Sequence, residues 1–266
     1  SIAPEYNPPA TKADYWIPCR AGLSDISIFL GAAKIIMDEG LVDVPYVKEY
    51  TDMPLLVRTD NLIRLHPDDF IPGYKAQALP KDGFTTKWMK NFNRDKMPDF
   101  VVWDTNTNKP VPITREDIGA KMLKKKIDPA LDGVFDIKLV NGKTITVMPL
   151  YEMYKIHLKD YDLDTVNQIS HAPKDLVVRL ARDMGTILPV EIHYGEGINH
   201  YFHATMHNRA SYVPLMLTGN VGPKGSGSHT WAGNYKAGNY QGSHWSGPGF
   251  AAMVAEDPFN PILDAA

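Results

Sequence analysis

Apolar residues follow a helical spacing near the start of the chain. The spacing predicts an amphipathic helix that begins at Ser24 or Asp25, where a short polar side chain can cap it, and that ends at Gly40. A second, shorter helix is predicted to start at Pro45, and a strand follows in MPLLVRTD. The apolar face of the first helix comprises Ile26, Phe29, Leu30, Ala33, Ile36 and Met37.

The pattern changes to short strands in the middle of the chain. From Leu62 to Asp99 it consists of Pro, Gly, Asp and Lys with scattered aromatic residues, which predicts a surface insertion. The segment DFVVWDTNTNKPVPI predicts two short strands around a polar turn. In GVFDIKLVNGKTITVMP, alternation on both sides of Asn141-Gly142 predicts a hairpin with a type I′ turn.

Helical spacing returns in the last third of the chain. Helices are predicted in PLYEMYKIHLKDY and, as a pair around SHAP, in residues 164–185. A buried strand is predicted in ILPVEIHYGEG, followed by a helix from Tyr201 to Leu217 whose last turn Pro214 should bend. This alternation of helix, strand and loop is typical of an α/β layer, so the predicted fold class is α/β.

Composition places the chain among ordinary globular proteins. It has 266 residues, 44% of them hydrophobic and 22% charged, which suits a folded domain with a sizeable core. The formal net charge of -3 gives no general attraction to nucleic acid or acidic lipid. Acidic residues also crowd the helix pair around SHAP, so we expect no nucleic-acid partner.

The cysteine count and the apolar runs exclude further classes. Cys19 is the single cysteine, which excludes an internal disulfide, a CxxC redox pair and a thiolate metal cage from this chain. No apolar run reaches the ~18 residues of a membrane span. The chain starts at Ser1 with strand-like residues, so we expect an internal segment of a longer polypeptide, with any targeting signal outside it.

Two glycine loops are candidate anion sites. Gly195 and Gly197 follow the predicted strand and precede a helix, an arrangement that offers free backbone N–H groups and the positive end of the helix dipole. A plain structural turn, with Asn199 as N-cap, is the alternative. The second loop is CRAGLSD, where Arg20 can pair with phosphate and Asp25 can accept from a guanine or ribose edge, or simply serve the helix dipole.

Histidines and glycines near the end of the chain allow more than one interpretation. His200, His203 and His207 lie on one helical face and could present their imidazoles to zinc. Because the neighbouring residues of this helix are apolar and must be buried, the favoured interpretation is that the histidines are hydrogen-bonded and line a polar cavity. The tail from Thr218 to Gly249 interleaves glycines with aromatic residues. This pattern favours backbone wrapped around a cofactor over a solvated linker.

Three segments together resemble a known family. They are APEYNPPATKADYWIPCRAGLSD, VKEYTDMPLLVRTDN and GEGINHYFHATMHNRASYVPLMLTGNVGPKGSG. The chain resembles the molybdopterin oxidoreductases of the dimethyl sulfoxide reductase family, and within it the nitrate reductase and nitrite oxidoreductase alpha subunits. GINHYFHATMHNRA with HTWAGNYKAGNYQGS is most similar to the nitrite oxidoreductase branch. The fold expected from the resemblance is an internal fragment of the multi-domain molybdopterin oxidoreductase fold, with a small-stranded insertion in the middle.

The resemblance also implies cofactor-binding residues. The family holds molybdenum with two molybdopterin guanine dinucleotides, whose four phosphates suit two loops at helix starts. The segment matched to one guanine nucleotide contains Arg20, Gly22, Ser24 and Asp25. The loop matched to the phosphate and pterin portion contains Gly195, Glu196, Gly197, Asn199 and His200.

The resemblance divides the chain into four parts. Residues 1–61 would be part of a cofactor-binding α/β domain, 62–149 an insertion with short strands and a hairpin, 150–218 the α/β continuation with the second loop, and 219–266 a loop segment near the cofactor. The iron–sulfur ligands and the molybdenum ligand of the family lie in an upstream region that this chain lacks. We therefore assign no catalytic residue and no metal ligand here, and expect the segment alone to be inactive.

For the intact enzyme the resemblance implies oxidation of nitrite to nitrate by oxygen-atom transfer, with electrons leaving through iron–sulfur clusters. The implied partners are an iron–sulfur beta subunit and a membrane or haem-bearing gamma subunit. The implied location is a membrane-associated complex on the periplasmic side, with the cytoplasmic side as the alternative. Alternative functions are a related nitrate, chlorate or selenate reductase, a hydrocarbon-hydroxylating molybdoenzyme, or a cofactor-free protein-interaction module.

Overall fold

A computed structural model describes residues 1–22, 24–81, 83–88, 94, 97–117, 121–198 and 204–229. The protein is a mixture of helices and short strands. Its helices are α1 (Asp25–Asp38), α2 (Val44–Tyr50), α3 (Pro67–Phe70), α4 (Phe84–Trp88), α5 (Lys121–Lys124), α6 (Leu150–Leu158), α7 (Leu163–Ser170), α8 (Lys174–Thr186) and α9 (Ala204–Leu217). Its strands are β1 (Ile2–Ala3), β2 (Ile17–Pro18), β3 (Leu56–Arg58), β4 (Phe100–Asp104), β5 (Lys109–Ile113), β6 (Phe135–Lys138), β7 (Thr144–Pro149), β8 (Glu191–His193) and β9 (Gly227–His229).

The helix α1 is the centre of a helical layer. It contacts α6, α7, α8 and α9, and packs most extensively against α9. Ile36 of α1 and Leu215 of α9 are fully buried in the same apolar cluster, where each such side chain contributes about 1.5–3 kcal/mol of burial free energy. The predicted α1 is therefore confirmed, and its apolar face forms the core of the layer.

The strands of the middle region form two small antiparallel sheets. The order of the larger is β3-β7-β6, and β4 pairs with β5 in the other. Leu56, Val101 and Val147 are fully buried between them. Since β3 pairs with β7, this strand of the first predicted part lies in the same sheet as the predicted insertion, and the four-part division remains a proposal.

The predicted hairpin is confirmed, but its predicted type I′ turn is wrong. That turn needs a positive φ at both Asn141 and Gly142, and only Gly142 has one, at +86°. The N–H of Gly142 bonds to the carbonyl of Leu139 at 2.9 Å, and the N–H of Leu139 bonds to Lys143 at 2.8 Å. The loop therefore has three residues. An ordinary turn comes first, and Gly142, in the left-handed conformation, then forms a bulge.

Two pairs of parallel strands lie beside the helical layer. β1 pairs with β2, and β8 pairs with β9. β8 was predicted as a buried strand over a longer segment, and this was wrong, since Ile187 and Leu188 are 63% and 58% exposed. Among the described residues, β8 pairs only with β9, so little of the segment is covered. Of its apolar residues, Val190 and Ile192 pack against the apolar cluster under α9.

The remaining helices follow the predicted order. α2, α6, α7 and α8 are confirmed, the last two as the pair around SHAP. α9 is described from Ala204, and the predicted start at Tyr201 lies outside the described residues. In the part of the chain that the structure describes, none of the helices has the length and apolar character of a membrane span.

Candidate functional site

The first candidate loop joins β2 to α1. The N–H of Arg20 donates to the carbonyl of Ser170 at 2.6 Å, which ties the loop to the end of α7. The Arg20 side chain itself is exposed. Gly22 has a φ of +85°, a left-handed conformation that favours glycine. The loop therefore presents a cation and a bare backbone segment to solvent.

Ser24, Asp25 and Cys19 hold the inner side of this loop. Ser24 is buried and its hydroxyl donates to the carbonyl of Arg20, so it shapes the loop and makes no side-chain cap for α1. The Cys19 thiol donates to Asp25 Oδ1 at 3.4 Å. Burial, together with the negative charge of Asp25, raises the pKa of Cys19 to about 12. Cys19 is thus a neutral, inert thiol under the loop.

The second candidate loop joins β8 to α9. Residues Glu196–Ile198 form a 3₁₀ turn. The residues between this turn and Ala204 lie outside the described ones, so the predicted passage from the glycines into the helix is not tested. Ile198 anchors the turn, being 93% buried. Among the described residues, none has an atom within 4 Å of a Cβ placed on Gly195 or Gly197. This part of the chain therefore leaves the backbone of the two glycines open to a ligand.

Three predicted residues of the second loop cannot be placed. The Glu196 side chain, Asn199 and His200 lie outside the described residues. The glycine- and aromatic-rich tail from residue 230 onwards also lies outside them. The assignment of these residues to a cofactor stays a prediction.

The two loops lie at corresponding ends of neighbouring helices. Past the end of α1, the N–H of Asp43 donates to the carbonyl of Leu217, the last residue of α9, at 2.8 Å. α1 and α9 each contain 14 residues, about 21 Å of helix, and pack against each other. Each loop therefore precedes the amino-terminal end of a helix, and the two helices share the apolar core of the layer.

Several polar residues beside the second loop were missed by sequence reasoning. They lie where β8 and β9 end. His193 Nε2 and His229 Nε2 lie 2.7 and 3.0 Å from the same oxygen, Glu191 Oε1, with their rings 5.2 Å apart. Tyr194 Oη lies 2.6 Å from Ser211 Oγ of α9. The local sequence carries no signal for this cluster, because it depends on the pairing of strands more than 30 residues apart.

A zinc site gains no geometric support from the described residues. Among them, no group of three or more His, Cys, Asp or Glu side chains is arranged to hold a metal ion. His207 is 95% buried on α9, as expected for a histidine facing the interior. His200 and His203 lie outside the described residues, so the predicted histidine face is not tested.

Comparison with known proteins gives the class of protein that this chain resembles. No protein-family model matches it. Its relatives are alpha subunits of molybdopterin oxidoreductases, at 25–30% identity. The chain spans about a quarter of the length of the curated relatives it matches.

Three of the relatives are named as reductases of perchlorate, nitrate or chlorate. The perchlorate reductase subunit alpha of Dechloromonas aromatica is 30% identical over 258 residues, which cover 89% of this chain and 26% of that protein. The respiratory nitrate reductase subunit alpha of Haloferax mediterranei is 29% identical over 90% of this chain and 23% of its own length. The chlorate reductase subunit alpha of Ideonella dechloratans is 26% identical over the same shares, 90% and 23%.

Proposed function

We propose that the chain is part of the catalytic subunit of a molybdenum-dependent oxidoreductase of the dimethyl sulfoxide reductase family that acts on an oxyanion. Its two glycine loops would hold the bis(molybdopterin guanine dinucleotide) cofactor. The names of the relatives support the class of substrate, since they specify perchlorate, nitrate and chlorate. The proposal covers the whole enzyme, of which this chain would be one segment.

The observation that carries the proposal is the juxtaposition of two strand–loop–helix units. β2 leads through the first loop into α1, and β8 leads through the second into α9. The two helices pack against each other, and each has the positive end of its dipole next to the loop that precedes it, so both loops would face one bound cofactor. A cofactor with two dinucleotide arms and four phosphates requires such a pair of anion sites.

The residues present fit that cofactor. Within the part of the chain that the structure describes, Gly195 and Gly197 leave open space over the backbone, and Gly22 adopts a left-handed φ at the corresponding place in the first loop. Arg20 is exposed and would pair with a phosphate. Asp25, half-buried at the start of α1, would accept from the N–H groups of a guanine edge. Ser24 would support the loop from inside and make no direct contact, because its hydroxyl bonds to Arg20.

When bound, the molybdenum centre would supply two-electron oxygen-atom transfer, with electrons passing to iron–sulfur clusters held by other parts of the enzyme. The residues of this chain would position and neutralise the nucleotide arms, and none of them is assigned a role at the reacting atoms. The backbone N–H groups of the two loops would contribute the fixed partial charges, since they are already oriented by the folded helices.

Within this class we propose nitrite oxidation to nitrate as the reaction. The support is the similarity of GINHYFHATMHNRA and HTWAGNYKAGNYQGS to the nitrite oxidoreductase branch. Reduction of nitrate, chlorate or selenate, or hydroxylation of a hydrocarbon, is the alternative. The partners would be an iron–sulfur beta subunit and a membrane or haem-bearing gamma subunit, in a membrane-associated complex on the periplasmic side.

The test uses the intact enzyme that contains this segment. We expect one molybdenum and two guanine nucleotides per subunit by elemental analysis and nucleotide release. The changes Gly195→Val and Asp25→Asn should lower cofactor content at least tenfold. Arg182→Ala is the control, since Arg182 pairs with Glu39 on the outer surface at 2.8 Å and should keep full content.

Two results would overturn the proposal. The first is an intact enzyme without molybdenum, and the second is full cofactor content in both loop variants. If the cofactor is present, turnover measured with nitrite, chlorate and selenate decides which reaction the enzyme catalyses. A preference for chlorate over nitrite would replace nitrite oxidation by the alternative and leave the cofactor site in place.

A further inference from the structure

A cleft outside the two loops is lined by lysines. It lies between α5 and the residues that follow β5, and has a volume of about 360 Å³. We call it the basic cleft. Its lining consists of Ala78, Leu79, Pro80, Thr114, Asp117, Lys121, Lys124 and Lys125. The floor is mainly apolar and the rim is mainly cationic.

The basic cleft adjoins a second cleft of about 220 Å³, and both are lined by Thr114 and Asp117. The second cleft has apolar walls and two arginines, Arg64 and Arg115, at its edge. Both clefts are open to solvent, and we refer to the two adjoining clefts together as the depression. The apolar side chains of the second cleft include Pro54, Leu55, Phe100, Val102, Ile113 and Met122.

Among the described residues that line this depression, cations outnumber carboxylates. Asp117, which is 96% buried, pairs with Lys125 at 2.6 Å, and Asp52 pairs with Arg64. Lys121 lies 3.9 Å from Glu116, at the limit of an ion pair. Lys124 and Arg115 are exposed. The patch is therefore positive on a chain whose formal net charge is -3, a contrast that attracts acidic groups to this face.

We infer that the depression is a docking surface for an acidic, extended segment of a partner protein. A compact ligand would need an enclosed site, whereas an extended chain can lay apolar side chains on the floor and carboxylates against the rim. Lysines are flexible point charges, so they can follow the spread carboxylates of a peptide.

The inference does not depend on the cofactor proposal. The depression is formed by the middle strands, α5 and the residues just after α2. Neither of the two candidate cofactor loops contributes a residue to its lining. A protein without molybdenum would still present this surface. Failure of one proposal therefore leaves the other standing.

The experiment measures binding of a labelled peptide to the full chain by fluorescence anisotropy. The probe is a twelve-residue peptide of alternating Glu pairs and Leu, and a peptide with Lys in place of Glu is its counterpart. We expect the acidic peptide to bind at least tenfold tighter than the basic one, with an affinity that falls as salt is raised. The double change Lys121→Glu, Lys124→Glu should weaken it at least tenfold.

A double change with the same effect on net charge serves as the control. Lys12→Glu, Lys138→Glu replaces two exposed lysines elsewhere and should alter the affinity less than twofold. Should the charge reversal reduce the thermal stability, Lys124→Gln replaces it, with a threefold loss expected. Equal binding of both peptides, equal effects of both double changes, or displacement of the peptide by micromolar pyrophosphate would overturn the proposal, the last by identifying a small-anion site.

Discussion

The backbone N–H of Asp43 donates to the carbonyl of Leu217, and this 2.8 Å bond joins the start of α2 to the end of α9. Just beyond it, the side chain of Asp43 lies against Gly219, where a Cβ would approach Oδ2 to 2.7 Å. The contact therefore constrains α9 at its carboxyl-terminal end, which is remote from the candidate loop that precedes this helix.

Gly219→Ala is expected to destabilise the protein by about 1–3 kcal/mol, because Gly219 has a φ of +71° and its Cβ would meet Asp43. Urea denaturation measures the loss. Gly197→Ala is the matched control: no positive φ and no close atom of a described residue opposes it, so the change should cost less than ~0.5 kcal/mol. Equal losses for the two variants would show that the junction does not constrain Gly219.

Gly31→Ala tests the packing of α1 against α7. A Cβ at Gly31 would lie 2.7 Å from Cγ2 of Val166, which is fully buried. The gain in helix propensity of about 1 kcal/mol should be outweighed by an overpacking cost of about 1–3 kcal/mol, so the single variant should be less stable. In a Val166→Ala background the same change should become stabilising. Urea denaturation of the four proteins of this double-mutant cycle measures the change in stability. The same effect of Gly31→Ala in both backgrounds would show that Gly31 and Val166 do not contact each other.

Cys19 should be unreactive in the folded protein. Its pKa of about 12 leaves roughly a thousandfold less thiolate at pH 8 than the ordinary value of about 8.5 does, so alkylation should be slower in the folded than in the denatured chain by at least that factor. Asp25→Asn should lower the pKa and speed alkylation, but only partly, because burial is the larger cause. Iodoacetamide labelling followed by mass spectrometry measures both rates.

The raised pKa of Cys19 also makes the stability of the folded protein depend on pH. Because the pKa of Cys19 is higher in the folded than in the unfolded state, its contribution is complete below about pH 8.5 and is lost as the pH rises towards 12. Cys19→Ala should remove that part of the alkaline loss of stability. Identical pH profiles for the wild-type chain and this variant between pH 8.5 and 12 would contradict the raised pKa.

Asp99 is expected to be a principal structural carboxylate of the middle region. It is 98% buried, pairs with Arg94, and accepts from Tyr74 Oη at 2.7 Å and from the N–H of Gln77 at 2.8 Å. Asp99→Asn should cost about 2–4 kcal/mol, because it leaves the guanidinium without its counter-charge. Guanidinium denaturation measures the loss.

A matched variant and a second measurement separate this role from a surface effect. Asp60→Asn removes an exposed carboxylate paired with Arg58 at 3.0 Å and should cost less than ~1 kcal/mol. Burial and the hydrogen bond to Asp99 raise the pKa of Tyr74 to about 12, so Asp99→Asn should lower that pKa in an ultraviolet titration. A stability loss no larger than that of Asp60→Asn would refute the structural role.

The sequence by itself determined the elements whose signals are local. The apolar spacing of α1 and the alternation around Gly142 were sufficient to predict a helix and a hairpin, because each pattern depends on neighbours a few residues apart. The positive φ of Gly22 is likewise compatible with the glycine that the sequence places there. Similarity to known proteins then supplied the class of enzyme, which periodicity alone does not contain.

Tertiary structure alone decided which elements meet. No local pattern shows that Glu191 lies between His193 and His229, or that β3 joins the hairpin of β6 and β7. Ile187 and Leu188, which precede β8, are exposed although they are apolar, since burial depends on which neighbours cover a segment. The packing of α1 against α9 has the same origin: its contacts join residues far apart along the chain, and their geometry is set only when the core packs.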